Sequence, residues 1–289
     1  DQTEAHQQAI NYYQSIAKQQ PWYTKDDIQE YLEIFYHFYQ LADYDSVFEA
    51  IWHCDDFLTL RGYYANRVEL YGQLVSKWSE IDDKQNWNYR ASLISLGNAY
   101  YSLGQYERAI AFYQQSLDIK KEIGDIQGES ISLNNLGNSY YFLGQYERAI
   151  AFYQQSLDIK KEIGDIRGES SSLGNLGNAY YFLGQCQRAI AFYQQSLDIK
   201  KEIGDIRGEA NAWFNLGLSL EKVDREQDAL GAYRNARELY QTMGLDTDVQ
   251  NCNNAIEGLS QPKKPLVSQR GFWGWLRRFW RWLRGWFRR

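Results

Sequence analysis

The segment Gly104–Ser130, GQYERAIAFYQQSLDIKKEIGDIQGES, returns at Gly144–Ser170 with one change, Arg167 for Gln127. It comes back again from Gly184, with Cys186 and Gln187 in place of tyrosine and glutamate. The period is 40 residues, and a fourth, diverged copy runs from about Asn211 to Met243. A unit of this length cannot bury its own apolar face and must stack on its neighbours. The sequence therefore predicts an extended array in which each unit contacts the next.

Each copy reads as two helices. In the second copy Leu133, Leu136 and Tyr140 recur three and four residues apart, on one face of a first helix. That helix stops at FLGQ, where Gly144 permits the turn. A second helix is expected from about Gln145 to Ile163, with Ala149, Tyr153, Ser156 and Leu157 facing inward, until IGDIRGE breaks it. Gly137, Ala149 and Ser156 are small enough for two helix backbones to approach closely, and Tyr140 and Tyr153 fill the space between.

This pattern resembles the tetratricopeptide repeat. Leu133, Leu136, Gly137, Tyr140, Gly144, Tyr146, Ala149, Tyr153 and Ser156 stand where that family's signature places its residues. The first copy matches with Leu93, Leu96, Gly97, Tyr100, Gly104, Tyr106, Ala109 and Tyr113. The fourth keeps Trp213, Leu216, Gly217, Ala229, Tyr233 and Ala236 but departs at Leu220, Asp224 and Glu226, which suits a capping unit. The long period and the GD…GE linker are similar to the variety found in kinesin light chains, Leu-Gly-Asn-repeat adaptors and many cyanobacterial proteins. The resemblance implies an all-α, right-handed solenoid of helix-turn-helix pairs.

Four regions follow from this reading: an irregular, degenerate helical part at 1–87, the solenoid with its four repeats at 88–257, a linker at 258–270, and a terminal segment at 271–289. In the first part, EYLEIFYHFYQLADYDSVFEAIWHCDDFL reads as one more helix pair, with LADY in the turn and Val47 where the repeats have alanine. RGYYANRVELYGQLVSKW adds a further helix. This part looks similar to the irregular repeats that follow the nucleotide-binding switch module of bacterial STAND-type proteins. The only methionine is Met243, so the sequence is expected to continue upstream of residue 1.

In a stacked array the first helices line the concave side. Opposite the core face of the first helix lie Ile131, Asn134, Asn135, Asn138, Tyr141 and Phe142; the third copy offers Asn175, Asn178, Tyr181 and Phe182. The outer copies add Asn98, Tyr101 and Asn215. Asn98, Asn138 and Asn178 thus form a ladder flanked by aromatic rings. An asparagine amide both donates and accepts, so it can hold an extended peptide whatever its sequence. The resemblance agrees, since concave asparagines of such adaptors hold partner peptides. A polar face kept only for solubility is the alternative, although lysine and glutamate would serve that purpose better.

Charge is distributed unevenly. Nine of the 31 basic residues lie between Lys263 and Arg289 with no acid among them, leaving 22 against 37 acidic residues upstream. An acidic body argues against nucleic acid as its partner. On a helical wheel GFWGWLRRFWRWLRGWFRR separates without exception. Arg277, Arg278, Arg281, Arg284 and Arg288 share one arc; Phe272, Trp273, Trp275, Phe279, Trp280, Trp282, Trp286 and Phe287 fill the other. Six arginines oppose crossing a bilayer but suit a helix lying in an anionic interface. The alternatives are docking of this helix on the array, in cis or between copies, contact with nucleic acid, or an incidental disordered tail. Gly258, Pro262 and Pro265 mark the linker.

Nothing in the sequence carries catalysis. His6, His37 and His53 lie near no nucleophile motif, His53 reads as part of a helix face, and no phosphate-binding glycine loop or metal-ligand spacing occurs. No cofactor is expected. Cys54, Cys186 and Cys252 read as reduced thiols of a cytoplasmic protein, placed by its tail at the inner face of a membrane. The expected role is a non-catalytic scaffold for a protein or peptide partner. The alternatives are a sensor arm of a larger STAND-type protein and a self-associating chain.

Overall fold

The computed structural model describes residues 1–81 and 83–260. Among them are thirteen α-helices and no strand: α1 (Gln2–Ile16), α2 (Gln29–Gln40), α3 (Tyr44–Leu60), α4 (Tyr64–Ile81), α5 (Trp87–Ser102), α6 (Tyr106–Ile123), α7 (Ile126–Phe142), α8 (Tyr146–Glu162), α9 (Ile166–Phe182), α10 (Cys186–Glu202), α11 (Ile206–Lys222), α12 (Glu226–Thr242) and α13 (Asp246–Ser260). A short 3-10 turn, Lys25–Ile28, precedes α2. Helix α13 continues through Gly258, past the expected start of the linker. The rest of that linker and the segment 271–289 lie outside the described residues. No helix among the described residues is long and apolar enough to cross a membrane.

Each repeat closes by the same local physics. Gly144 takes φ +73°, the left-handed conformation that spares a side chain's steric cost, and turns α7 into α8. At Gly137 a Cβ would stand 2.5 Å from the Tyr153 ring, so α7 and α8 approach at a separation that only glycine allows. Ala149, Tyr153 and Leu157 of α8 then pack with Leu173, Leu176 and Ala179 of α9 in one buried cluster. Ser156 donates its hydroxyl to the Ser130 carbonyl at 2.9 Å, which satisfies a buried polar group inside the interface. Asp165 caps α9 by accepting from Gly168 N–H at 2.9 Å. The cycle repeats down to α12, and α13 covers the exposed end with Cys252 fully buried.

In the N-terminal part α2 and α3 pack together as expected from the sequence, and a further pairing is added. Helix α3 touches α5 as α7 touches α9 and α9 touches α11, so α3 stands in the row of first helices and pairs with α4. Its turn uses Gly62 at φ +74°, and Tyr71 is fully buried like Tyr113 of the next unit. Helix α2 packs against α1 as well as α3, and LADY is the turn between α2 and α3, with Ala42 at φ +56°. This unit escaped the sequence pattern because an ion pair replaces its small residues. Asp55 and Arg67 stand as far apart in sequence as Gly97 and Ala109 do in the next unit. The Arg67 guanidinium, 4 % exposed, donates to both carboxylate oxygens at 2.7 and 2.8 Å. Fork-to-carboxylate pairing satisfies both buried charges at once.

Candidate functional site

The contacts between successive first helices define the inner wall of the array. There the ladder residues are held from behind. Tyr113 donates its phenol proton to Asn98 Oδ1 at 2.7 Å, Tyr153 to Asn138 Oδ1 at 2.8 Å, and Tyr193 to Asn178 Oδ1 at 2.7 Å. Burial pushes all three phenols up from their ordinary range, so they stay protonated donors. A donor behind each amide fixes which way round it sits. One lone pair of each carbonyl is taken by the phenol, so Asn98 and Asn138 keep the Nδ2 donor and a second acceptor position, while at Asn178 that second position is filled by Asn215 Nδ2.

Neighbouring units are also tied across the wall. Asn175 Nδ2 donates to Asn134 Oδ1 and Asn215 Nδ2 donates to Asn178 Oδ1, each at 3.2 Å. Asn135, half-buried, lies on the same helix face. Where the second unit has Asn134 the third has Gly174, and a pocket of about 240 Å³ opens there, lined by Asn175, Asn211, Asn215 and Lys200.

The aromatic residues expected beside the ladder are brought together, but with each other. Tyr101 meets Tyr106 and Phe142 edge-on at 5.4 and 5.6 Å, and Phe142 stacks on Tyr106 at 5.4 Å. One unit on, Tyr141 meets Tyr146 and Phe182 at 5.6 and 5.7 Å, and Phe182 stacks on Tyr146. Tyr181 continues the row at Phe182. The result is an unbroken aromatic margin along which Phe142 and Phe182 are more than half exposed. Burial among these rings pushes the Tyr101 phenol up to about 12. Tyr106 and Tyr146 belong to this margin although the sequence reading used them only as repeat signature.

The remaining candidate groups are structural in their surroundings. His53 stacks on Tyr31 at 4.7 Å, and His6 Nδ1 faces His37 Nδ1 at 2.8 Å between α1 and α2. Burial pushes the Cys54 thiol up to about 12 and the Cys252 thiol up to about 11. Among the described residues no group of three or more His, Cys, Asp or Glu side chains is placed to hold a metal ion. The membrane-binding residues read from the sequence, Phe272 to Arg288, lie outside the described residues. What the wall presents is amide groups held from behind beside a row of aromatic rings.

The family model described as tetratricopeptide repeat matches residues 88–162, 128–202 and 169–242. No curated protein matches the sequence. Among solved structures, a kinesin-light-chain-like repeat protein of Podosopora anserina is 19% identical with a TM-score of 0.58, over 65% of this chain and 92% of that one. The BtubC protein of P. vanneervenii is 18% identical with a TM-score of 0.59, over 84% and 91%. A STAND protein with a tetratricopeptide repeat sensor from Pyrococcus horikoshii is 16% identical with a TM-score of 0.53, over 87% of this chain but only 44% of its own length. At these identities the likeness is one of fold.

Proposed function

Since this chain belongs to the tetratricopeptide repeat family, we propose that it is a non-catalytic scaffold that holds an extended segment of a partner protein along the wall of first helices. The observation that carries this reading is the phenol behind each ladder asparagine. A solvated surface has no need to fix an amide, whereas a peptide backbone is held best by donors already oriented toward its carbonyls. The aromatic margin then supplies apolar contact for side chains at little cost in rotamer freedom. Changing Asn98, Asn138 and Asn178 together to alanine, with helicity checked by circular dichroism, should abolish capture of partners by the full chain. Undiminished capture would remove the reading.

Residues 271–289 complete the proposal as a foot on an anionic membrane surface, argued from the clean separation of arginine from tryptophan and phenylalanine. Co-sedimentation with vesicles of anionic lipid should be lost on deleting 271–289 and be weak with neutral lipid. If deletion leaves it unchanged, the foot is not the anchor; if deletion instead converts an oligomer to a monomer, the segment docks on another copy. A second reading, the sensor arm of a STAND-type protein, is favoured by the likeness to the Pyrococcus horikoshii protein. A nucleotide-binding module encoded upstream would support it.

A further inference from the structure

The fold brings two of the chain's three histidines together, away from the ladder. His6 lies on α1 and His37 in the last turn of α2, 31 residues apart, and their Nδ1 atoms stand 2.8 Å from each other. The ring centres are 5.1 Å apart and the planes inclined at 53°. Tyr13 stacks on His37 at 5.8 Å, and Tyr36 meets His37 and His6 edge-on at 5.2 and 6.3 Å. Both imidazoles are only half-buried, so small solutes reach them.

Of two facing ring nitrogens, one must be without a proton for the contact to exist. Burial, and then the neighbouring His6 ring, keep His37 below its ordinary value, which holds it neutral at pH 7 in the form that binds metals. From α1 it faces His6 and Tyr13, and on its own helix Tyr36. The acid close enough to act on it is Glu33, one turn earlier on α2, whose carboxylate favours a cation there.

The spacing of the nitrogens suits one kind of ion. A divalent metal holds imidazole nitrogens at about 2.0–2.1 Å, so two of them in neighbouring corners of a square lie about 2.9 Å apart, and in a tetrahedron about 3.4 Å. The observed 2.8 Å is close to that of the square. The nitrogens face each other, and each ring has to turn about its Cβ–Cγ bond to aim at a common point beside the pair. Helix α1 can follow such a movement, because α2 is its principal partner and Ile10 is its one buried residue.

We propose that His6 and His37 together bind a divalent ion of tetragonal preference, Cu²⁺ or Ni²⁺, which completes its coordination with water and staples α1 to α2. With two protein ligands rather than three or more, the site is exchangeable rather than structural. Because the ligands sit on two helices, the ion binds where α1 is docked, and so it governs how firmly the N-terminal end of the array is covered. The ladder asparagines are on α5, α7 and α9, so this site and the groove stand or fall separately.

Ni²⁺ is the probe, since it leaves the thiols unoxidised, and the untagged full chain is used. Titration calorimetry should show one ion per chain, lost in His6→Gln and in His37→Gln and kept in His53→Gln, which changes the third histidine. Loss in a variant could also come from undocking of α1, so hydrogen exchange is measured on the unaltered chain. At free Ni²⁺ ten times the dissociation constant, amides of α1 should exchange about tenfold more slowly, while those of α9 do not change. Three results would each overturn the proposal. Binding that survives either His6→Gln or His37→Gln assigns the ion elsewhere. Binding without slower exchange in α1 means that the ion does not bridge the helices. No binding at about 1 mM ion makes the pair a hydrogen bond only.

Discussion

Replacing Gly137 by alanine sets two effects of known size against each other. In an exposed helix interior the change gains about 0.8–1.0 kcal/mol from helix propensity. At Gly137 the new Cβ would lie 2.5 Å from both Cδ1 and Cε1 of Tyr153. The ring cannot swing aside, because it is 2 % exposed and its hydroxyl is tied to Asn138. Overpacking of a filled core costs about 1–3 kcal/mol, so the clash outweighs the gain by about 1 kcal/mol. Gly231, inside α12, provides the control, since a Cβ there meets nothing within 4 Å. Gly231→Ala should therefore stabilise by about 1 kcal/mol, and the two variants should move in opposite directions. Urea denaturation followed by circular dichroism measures both, comparing midpoints at equal slope. If both midpoints move up by similar amounts, the close approach of α7 and α8 is not what keeps glycine in the repeat.

Ala42 and Asp224 sit at φ +56° and +58° where equivalent turns use glycine. Ala42→Gly should raise stability by about 0.5–1 kcal/mol, and Asp224→Gly by less because aspartate tolerates this conformation better; lower midpoints would refute it. Asp165→Ala removes the cap on Gly168 N–H and should cost about 1 kcal/mol, visible in the same melt. Burial, and then the neighbouring His6 ring, hold His37 below its ordinary value. The unfolded chain then takes up its proton first, so this contribution to α1–α2 docking is present above about pH 6.5 and lost as pH falls. Amide exchange should accelerate in α1 more than in α9 on going from pH 7 to 5, after correction for intrinsic rates; equal acceleration would sink the assignment.

The repeats were legible because their constraints are local. Leu133, Leu136 and Tyr140 mark one helix face, Gly144 ends it, and identical copies repeat the message. The unit formed by α3 and α4 was not, since a buried Asp55–Arg67 pair does the packing that glycine and alanine do elsewhere, and such a pair leaves no periodic trace. Helix α1 was missed for a related reason: Ile10 is its one buried residue, too little for a pattern. The ladder asparagines could be placed on one face from spacing alone, but their orientation depends on phenols fifteen residues away in the following helix.

Near-identity of the units also has a cost during folding. Helix α6 carries the same residues as α8, because Gly104–Ser130 and Gly144–Ser170 differ only at Gln127 and Arg167. A chain collapsing from the unfolded state can therefore dock α9 onto α6 and extrude α7 and α8 as a loop, with every surviving interface native in its chemistry. Only the contacts of the extruded pair tell the shortened stack from the complete one, so skipped-unit isomers are the traps to seek in its refolding.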